Sequence, residues 1–160
     1  MPHQDPEFHI RAATPDDCDG LAGLYRHLIP NDVPADPVET PASCKQMLAH
    51  PGLTVLIGIR NGVSVSTCTL IVIPNMTRGG APYALIENVV THSDYRGKGF
   101  GEQLLKSAFK RAWADGCYKV MLLSGSKNTE AHRFYERIGF ETTKVDFEAR
   151  APGYPPRMLA

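Results

Sequence analysis

A chain of 160 residues corresponds to one domain, able to bury roughly two thirds of its unfolded surface, so it needs neither a metal nor a disulfide to fold. It is 42% hydrophobic and 21% charged, and its 17 basic residues balance its 17 acidic ones, whereas a nucleic-acid surface carries a basic excess. The apolar run Leu70–Ile73 is four residues long, against the ~20 of a membrane-crossing helix, so neither nucleic acid nor membrane is an expected partner.

Phe8 to Ala12 reads as a short strand. Thr14-Pro15-Asp16-Asp17 then supplies an N-cap, a first-turn proline and two acids for a helix through Leu21, Leu24, Tyr25 and Leu28, closed by Pro30. Asn31 to Pro41, with Pro34 and Pro37, reads as a loop, and Ser43 to His50 as a short helix with Cys44, Met47 and Leu48 on one face. Leu53 to Arg60 and Val63 to Ile73 are antiparallel strands joined by Asn61-Gly62, the strongest two-residue hairpin signal. After a loop from Pro74 to Pro82, Tyr83 to Thr91 is an apolar strand interrupted by Glu87 and Asn88. Gly99 to Ala114 is the clearest helix, with Phe100, Leu104, Ala108 and Ala112 recurring every four residues. Lys119 to Ser124 is a strand whose continuous Val120-Met121-Leu122-Leu123 fits burial on both faces. A helix from Asn128 to Ile138 stops at Gly139; Glu141 to Ala149 alternates as a strand, and Pro155 to Leu159 gives a final edge strand. Antiparallel strands come first, then β-α-β-α-β.

Cys18, Cys44, Cys68 and Cys117 have no C-x-x-C pairing and read as reduced, mostly buried thiols. The histidines form no H-x-x-x-H pair, and no metal is expected. Met-Pro-His-Gln-Asp-Pro has neither a basic start nor an apolar core, so the expected compartment is the cytoplasm.

The chemistry concentrates in Tyr95-Arg96-Gly97-Lys98-Gly99-Phe100-Gly101, between a strand and the strongest helix. Three glycines let backbone N–H groups converge, and the helix start adds unsatisfied donors and positive potential, which makes an anion cradle. Counting from Gly97 puts Glu102 where a dinucleotide fingerprint needs its third glycine, and Gly97-Lys98 is followed by Gly99 rather than the Ser or Thr of a P-loop.

Arg96-x-x-Gly99-x-Gly101 resembles the Arg/Gln-x-x-Gly-x-Gly/Ala signature of the GNAT superfamily of acyl-CoA-dependent N-acetyltransferases. Asn128, Ala131, Phe134-Tyr135 and Gly139-Phe140 are similar to a second stretch of that family, on a helix about 30 residues further on. The resemblance, strongest over Tyr83 to Phe140, implies a mixed α/β (α+β) fold in a single domain over residues 1–160. Its expected form is a mostly antiparallel, twisted sheet of about six to seven strands with splayed central strands, flanked by about four helices. It implies acetyl-CoA as co-substrate, with no metal, and a homodimer. The backbone amides of Gly97, Lys98, Gly99, Phe100 and Gly101, with Arg96 nearby, would hold the coenzyme diphosphate. Main-chain groups of Val89 and Val90 would pair with the pantetheine arm in a cleft between Tyr83–Thr91 and the strand from Lys119, and Asn128 would hydrogen-bond the coenzyme.

Amide formation from a thioester needs a deprotonated amine, an oxyanion donor and a proton for the departing thiolate. Glu87 is either the base that accepts the amine proton or an exposed position of an alternating strand. Tyr135 matches the tyrosine that protonates the thiolate in the family, and this reading is preferred over a packed tyrosine on an apolar helix face. His92 reads as a loop histidine and Cys117 as core, since direct transfer needs no acyl-enzyme. The expected acceptor is a primary amine of a small molecule, with a peptide amine or a catalytically inactive coenzyme-binding module as alternatives. Arg78, in the loop before Tyr83, would meet a phosphate or carboxylate on the acceptor or be a solvated loop arginine. Ile86-Glu87-Asn88-Val89-Val90 and Gly116-Cys117-Tyr118-Lys119 resemble glucosamine 6-phosphate N-acetyltransferases, with departures at Asn88, at Leu123-Ser124 and in the spacing from Asn128 to Phe134. The acceptor therefore stays open.

Overall fold

The computed structural model describes residues 5–31 and 40–156. Its elements in chain order are β1 (Phe8–Ala12), α1 (Cys18–Leu28), α2 (Thr40–Ala49), β2 (Leu53–Arg60), β3 (Val63–Ile73), β4 (Tyr83–Thr91), α3 (Phe100–Ala114), β5 (Val120–Leu122) and α4 (Thr129–Ile138). They form a mixed α/β fold around one sheet in the order β1-β2-β3-β4-β5. The first four strands are antiparallel neighbours; β5 lies parallel to β4 after the α3 crossover.

Alternation along the strands divides the core into two layers. Leu56, Cys68, Leu70, Ala84 and Ile86 face α3, where Leu104, Leu105, Ala108 and Ala112 close over them. Val55, Ile57 and Ile59 face the other way, against Leu21 of α1 and Cys44 of α2. At the hairpin tip Asn61 and Gly62 take φ of 49° and 76°, the left-handed pair that matches strand twist. Arg11 grips Asp17 with two guanidinium nitrogens at 2.6 and 2.9 Å, and Asp17 also accepts from the Thr14 N–H at 2.7 Å, fixing the entry to α1.

The structure corrects several expectations. The sheet has five strands among the described residues, not six or seven. Residues 141–156 form no strand and are exposed throughout; the proposed final strand falls partly outside the described residues. Covered on both faces was the expectation for β5, yet Met121 and Leu123 are 37% and 61% exposed. As an edge strand it is covered only on the α3–α4 side, where Val120 and Leu122 pack. Helix α2 begins at Thr40, so Pro41 stands in its first turn, where a missing N–H costs nothing, rather than in the preceding loop. Finally, the four cysteines are not all thiols: Cys18 and Cys44 form a disulfide between α1 and α2, while Cys68 and Cys117 are free and buried. Both helices pack on the same face of β2, an adjacency that sequence spacing does not encode.

Candidate active site

The site begins where β4 loses its regular pairing. Between Thr67↔Val90 and Thr69↔Glu87 the register advances two residues on β3 and three on β4, and Asn88 at φ 51° takes up the extra one. On the opposite side the parallel pairing of β4 with β5 stops at Ile86↔Leu122. From Glu87 to Thr91, no described strand lies on the β5 side of β4. The two strands therefore part, leaving a gap bounded by Glu87–Thr91 and the chain following Leu122.

At the end of β4 the glycine turn is fixed from below. The Arg96 Nε donates to the Thr91 carbonyl and its Nη2 to the His27 carbonyl, both at 3.1 Å, tying the turn to the C-terminal end of α1. The His27 and His92 rings meet at 4.0 Å, and burial, His92 and Arg96 all hold His27 below its ordinary pKa. Gly97 and Gly99 take φ of 74° and 83°, which L side chains adopt only with strain, and the space a Cβ would enter at either one is open. The first amides of α3 start from Gly99, its left-handed N-cap. This fits an anion held by main-chain donors. Phe100 contributes only its backbone, since its side chain is 3% exposed and packs on Phe8 at 4.4 Å. Gly101 is needed for another reason: a Cβ there would sit 3.2 Å from the Thr91 hydroxyl and 3.3 Å from Phe134. The Lys98 ammonium lies 5.4 Å from the Tyr95 ring centroid.

Tyr135 lies on α4, whose N-cap is Asn128. The Asn128 side-chain oxygen accepts from the Ala131 N–H at 3.1 Å and so serves as the N-cap of α4, leaving its amide nitrogen to donate elsewhere. Phe134, Tyr135 and Ile138 pack on the α3-side core. The Tyr135 phenol is raised above its ordinary pKa by burial first, then by Cys68 and by Glu87, so the Glu87 carboxylate is close enough to act on it. Glu87 is exposed, opposite Thr69. Burial pushes the Cys68 thiol up to about 12 and also raises Cys117, so neither is a ready nucleophile.

Two groups were not singled out from the sequence. The Tyr25 hydroxyl on α1 and the Thr69 hydroxyl on β3 are buried without a well-formed hydrogen bond. Burial raises the Tyr25 phenol, with the nearby Thr69 hydroxyl opposing the shift. In sequence Tyr25 is one more member of an apolar stripe, and only its polar tip hints at more. Arg78 is not brought to the gap. It stands at the opposite end of β4, 5.4 Å from the centroid of the Tyr118 ring, and Tyr118 hydrogen-bonds Pro82 there. Five strand residues from Pro82 to Glu87 make that about 16 Å. Among the described residues no cluster of His, Cys, Asp or Glu is placed to hold a metal, and no helix is long and apolar enough to cross a membrane.

A sheet whose fourth strand parts from its parallel neighbour beside a glycine turn at a helix start defines an acyl-coenzyme A-dependent transferase scaffold, and the chain belongs to the Acetyltransferase (GNAT) family, whose sequence model matches residues 21–140. It is similar to glucosamine 6-phosphate N-acetyltransferase of Trypanosoma brucei brucei, 39% identical over 79 residues, which is 49% of this chain and 52% of that protein. The match thus spans about half the length of that relative. Aminoalkylphosphonate N-acetyltransferase of Salmonella typhimurium is 26% identical over 142 residues, 89% of this chain and 90% of that one. A solved structure from Agrobacterium tumefaciens superposes with a TM-score of 0.87 at 44% identity, covering 89% of this chain and 99% of the other.

Proposed function

We propose that the protein transfers an acetyl group from acetyl-CoA to the primary amine of a small molecule, by direct attack with both substrates bound. The observation that supports this reading is the parting of β4 from β5 past Ile86↔Leu122, with Glu87 the next residue of β4 and near enough to raise the Tyr135 phenol. Acetyl-CoA supplies an activated acetyl thioester. The amides of Gly97 to Gly101 hold its diphosphate, and Arg96 acts by fixing that turn through the carbonyls of Thr91 and His27. Unpaired main-chain groups around Val89 and Val90 line the gap as an extra strand would, and one N–H there faces the developing oxyanion. Glu87, open to solvent, accepts the amine proton directly or through water. Tyr135, held protonated by its surroundings, gives its proton to the departing thiolate.

The names of two relatives, a glucosamine 6-phosphate and an aminoalkylphosphonate N-acetyltransferase, make amines bearing a phospho group the first acceptors to assay. The reaction belongs in the cytoplasm, where acetyl-CoA is made and used; there the Cys18–Cys44 pair would exchange with cellular thiols. The test is release of free thiol from acetyl-CoA with glucosamine 6-phosphate, 2-aminoethylphosphonate and peptides, alongside calorimetric titration with CoA. Turnover on either small amine supports the reading. Turnover on peptides alone moves the acceptor class, and CoA binding without turnover on any amine makes the chain a coenzyme-binding module.

A further inference from the structure

Two threonines on the same face of β3 meet different fates. Thr67 and Thr69 are both buried, at 0% and 3% exposure. The Thr67 hydroxyl donates to the Leu56 carbonyl at 2.7 Å, which satisfies it. The Thr69 hydroxyl has no such partner, and neither has the buried tip of Tyr25, which lies close enough to Thr69 to feel its hydroxyl. A buried hydroxyl without a partner is rare in folded proteins, and two side by side call for a third group.

The sheet register says which group that is. Leu70 and Ile86 lie opposite each other and face α3, so the next pair along the ladder, Thr69 opposite Glu87, faces the other way, toward α1. Helix α1, which carries Tyr25, packs on both strands. Directly opposed residues of an antiparallel pair hold their Cβ atoms about 4.5–5.5 Å apart, a distance that a glutamate side chain spans. Beyond this pair the register slips, and Cys68 falls in the slip between Thr67 and Thr69. The Cys68 thiol acts on the Tyr25 phenol and on the Tyr135 phenol alike, so the two buried hydroxyls and the proposed acid flank one residue. Among the described residues no cation pairs with the Glu87 carboxylate.

We infer that Thr69 is a positioning residue for Glu87: its hydroxyl donates to the Glu87 carboxylate and accepts in turn from the Tyr25 hydroxyl, an inference that rests on the reading of Glu87 as the base. Each hydroxyl has one proton to give, so a chain ending on an anion sets a single direction, Tyr25 to Thr69 to Glu87. Burial raises the Tyr25 phenol and so keeps it a donor. Glu87 is exposed, and its turn toward Thr69 is a side-chain rotation completed when the acceptor amine enters the gap. One carboxylate oxygen is then fixed by the Thr69 hydroxyl, and the other takes the amine proton. That proton ends on Glu87; neither hydroxyl changes its protonation state.

Thiol release from acetyl-CoA is followed with glucosamine 6-phosphate, 2-aminoethylphosphonate and peptides, and the amine turned over fastest serves for the variants. Thr69→Val puts a methyl where the hydroxyl was; kcat should fall about tenfold with KM for acetyl-CoA within about twofold, and Thr69→Ser should keep most of the wild-type rate. Tyr25→Phe, one link further off, should lower kcat about threefold. In a Glu87→Gln background, Thr69→Val should change kcat by less than about twofold, because the hydroxyl acts through the carboxylate. Circular dichroism identifies a variant that has lost its fold, and if Thr69→Val does, Tyr25→Phe alone and in the Glu87→Gln background carries the same test. A Thr69→Val or Tyr25→Phe enzyme as fast as wild type, a Thr69→Ser enzyme as slow as Thr69→Val, or an undiminished further loss in the Glu87→Gln background overturns the inference and leaves Glu87 as the base. A Glu87→Gln enzyme with wild-type kcat, or no turnover on any of these amines, overturns the reading of Glu87 itself and the inference with it.

Discussion

Tyr135→Phe removes one oxygen and leaves the ring, whose contacts with Phe134 at 5.3 Å and Phe140 at 5.8 Å carry its packing. Loss of the hydroxyl of this half-buried residue changes stability by at most about 1 kcal/mol, so the melting temperature should move by no more than about 4 °C. The chemical step loses its proton donor, an effect of about 10²–10⁴ for general acids. The low end applies because the leaving thiol has an ordinary pKa of about 8.5 and water protonates it in part. The expected fall in kcat is thus about 100-fold, or about 2.7 kcal/mol of transition-state stabilisation, with KM for acetyl-CoA within about twofold of wild type. Burial, Cys68 and Glu87 all raise the Tyr135 pKa, so the donor form persists as pH rises through its ordinary value of 10. The wild-type rate should accordingly show no loss assignable to this group below that pH. Thiol release is read with a coloured disulfide reagent, and the burial of Cys68 and Cys117 keeps the background low. A kcat within about twofold of wild type would refute the assignment of Tyr135 as donor.

Glu87→Gln should cut kcat and also lower the Tyr135 pKa, because it removes one of the three influences that raise it; ultraviolet titration of the phenol checks this, and an unmoved titration would place the two groups out of electrostatic reach. Gly99→Val forces a β-branched residue to φ 83° and fills the cradle, so Kd for CoA should rise at least about tenfold; Gly116→Val, equally strained at φ 78° but outside the cradle, should cost similar stability and leave Kd unchanged. The Arg11 guanidinium, with the Thr14 N–H, draws the Asp17 carboxyl from 3.8 down to about 2. A depressed folded pKa means the stabilisation is complete above about pH 4 and is lost as pH falls toward 2. Arg11 is 41% exposed, so solvent screening leaves about 1 kcal/mol at neutral pH for Asp17→Asn to remove, read by chemical denaturation at pH 7 and pH 2.5. Reducing Cys18–Cys44, which closes a loop of separation 26, should cost about 3 kcal/mol and lower the melting temperature by about 6–12 °C; an unchanged melting curve would mean that the loop is held closed without it.

What the sequence made legible was local. Asn61-Gly62 set the hairpin, and the bounds of β2, β3 and β4 follow from the turn chemistry on either side of them. The break in apolar pattern at Glu87-Asn88 marked the place where the register slips. The glycines after Arg96 located the helix start and its open turn. What escaped was each relation between distant segments. Nothing at Cys18 or Cys44 announces the other, since the contact exists only once α1 and α2 lie on one face of β2. The side chain of Arg96 is committed to the His27 carbonyl, 69 residues away. The contact of Arg78 with the Tyr118 ring, 40 residues on, was likewise not readable from the sequence. The unpaired hydroxyls of Tyr25 and Thr69 are defined by what does not reach them in the folded chain.

The gap follows from the brevity of β5. Three residues of parallel ladder hold it to β4, and past Leu122 the chain departs toward α4 while β4 runs on to Thr91. A β5 extended by two or three residues would continue the pairing along Glu87–Val89 and close the cleft. The bulge works against that closure. Asn88 holds φ 51°, a conformation that costs most side chains about 1–2 kcal/mol and that asparagine tolerates, and the extra residue puts β4 out of step with any straight neighbour. The short β5 and the bulged β4 thus hold the gap open from both of its sides.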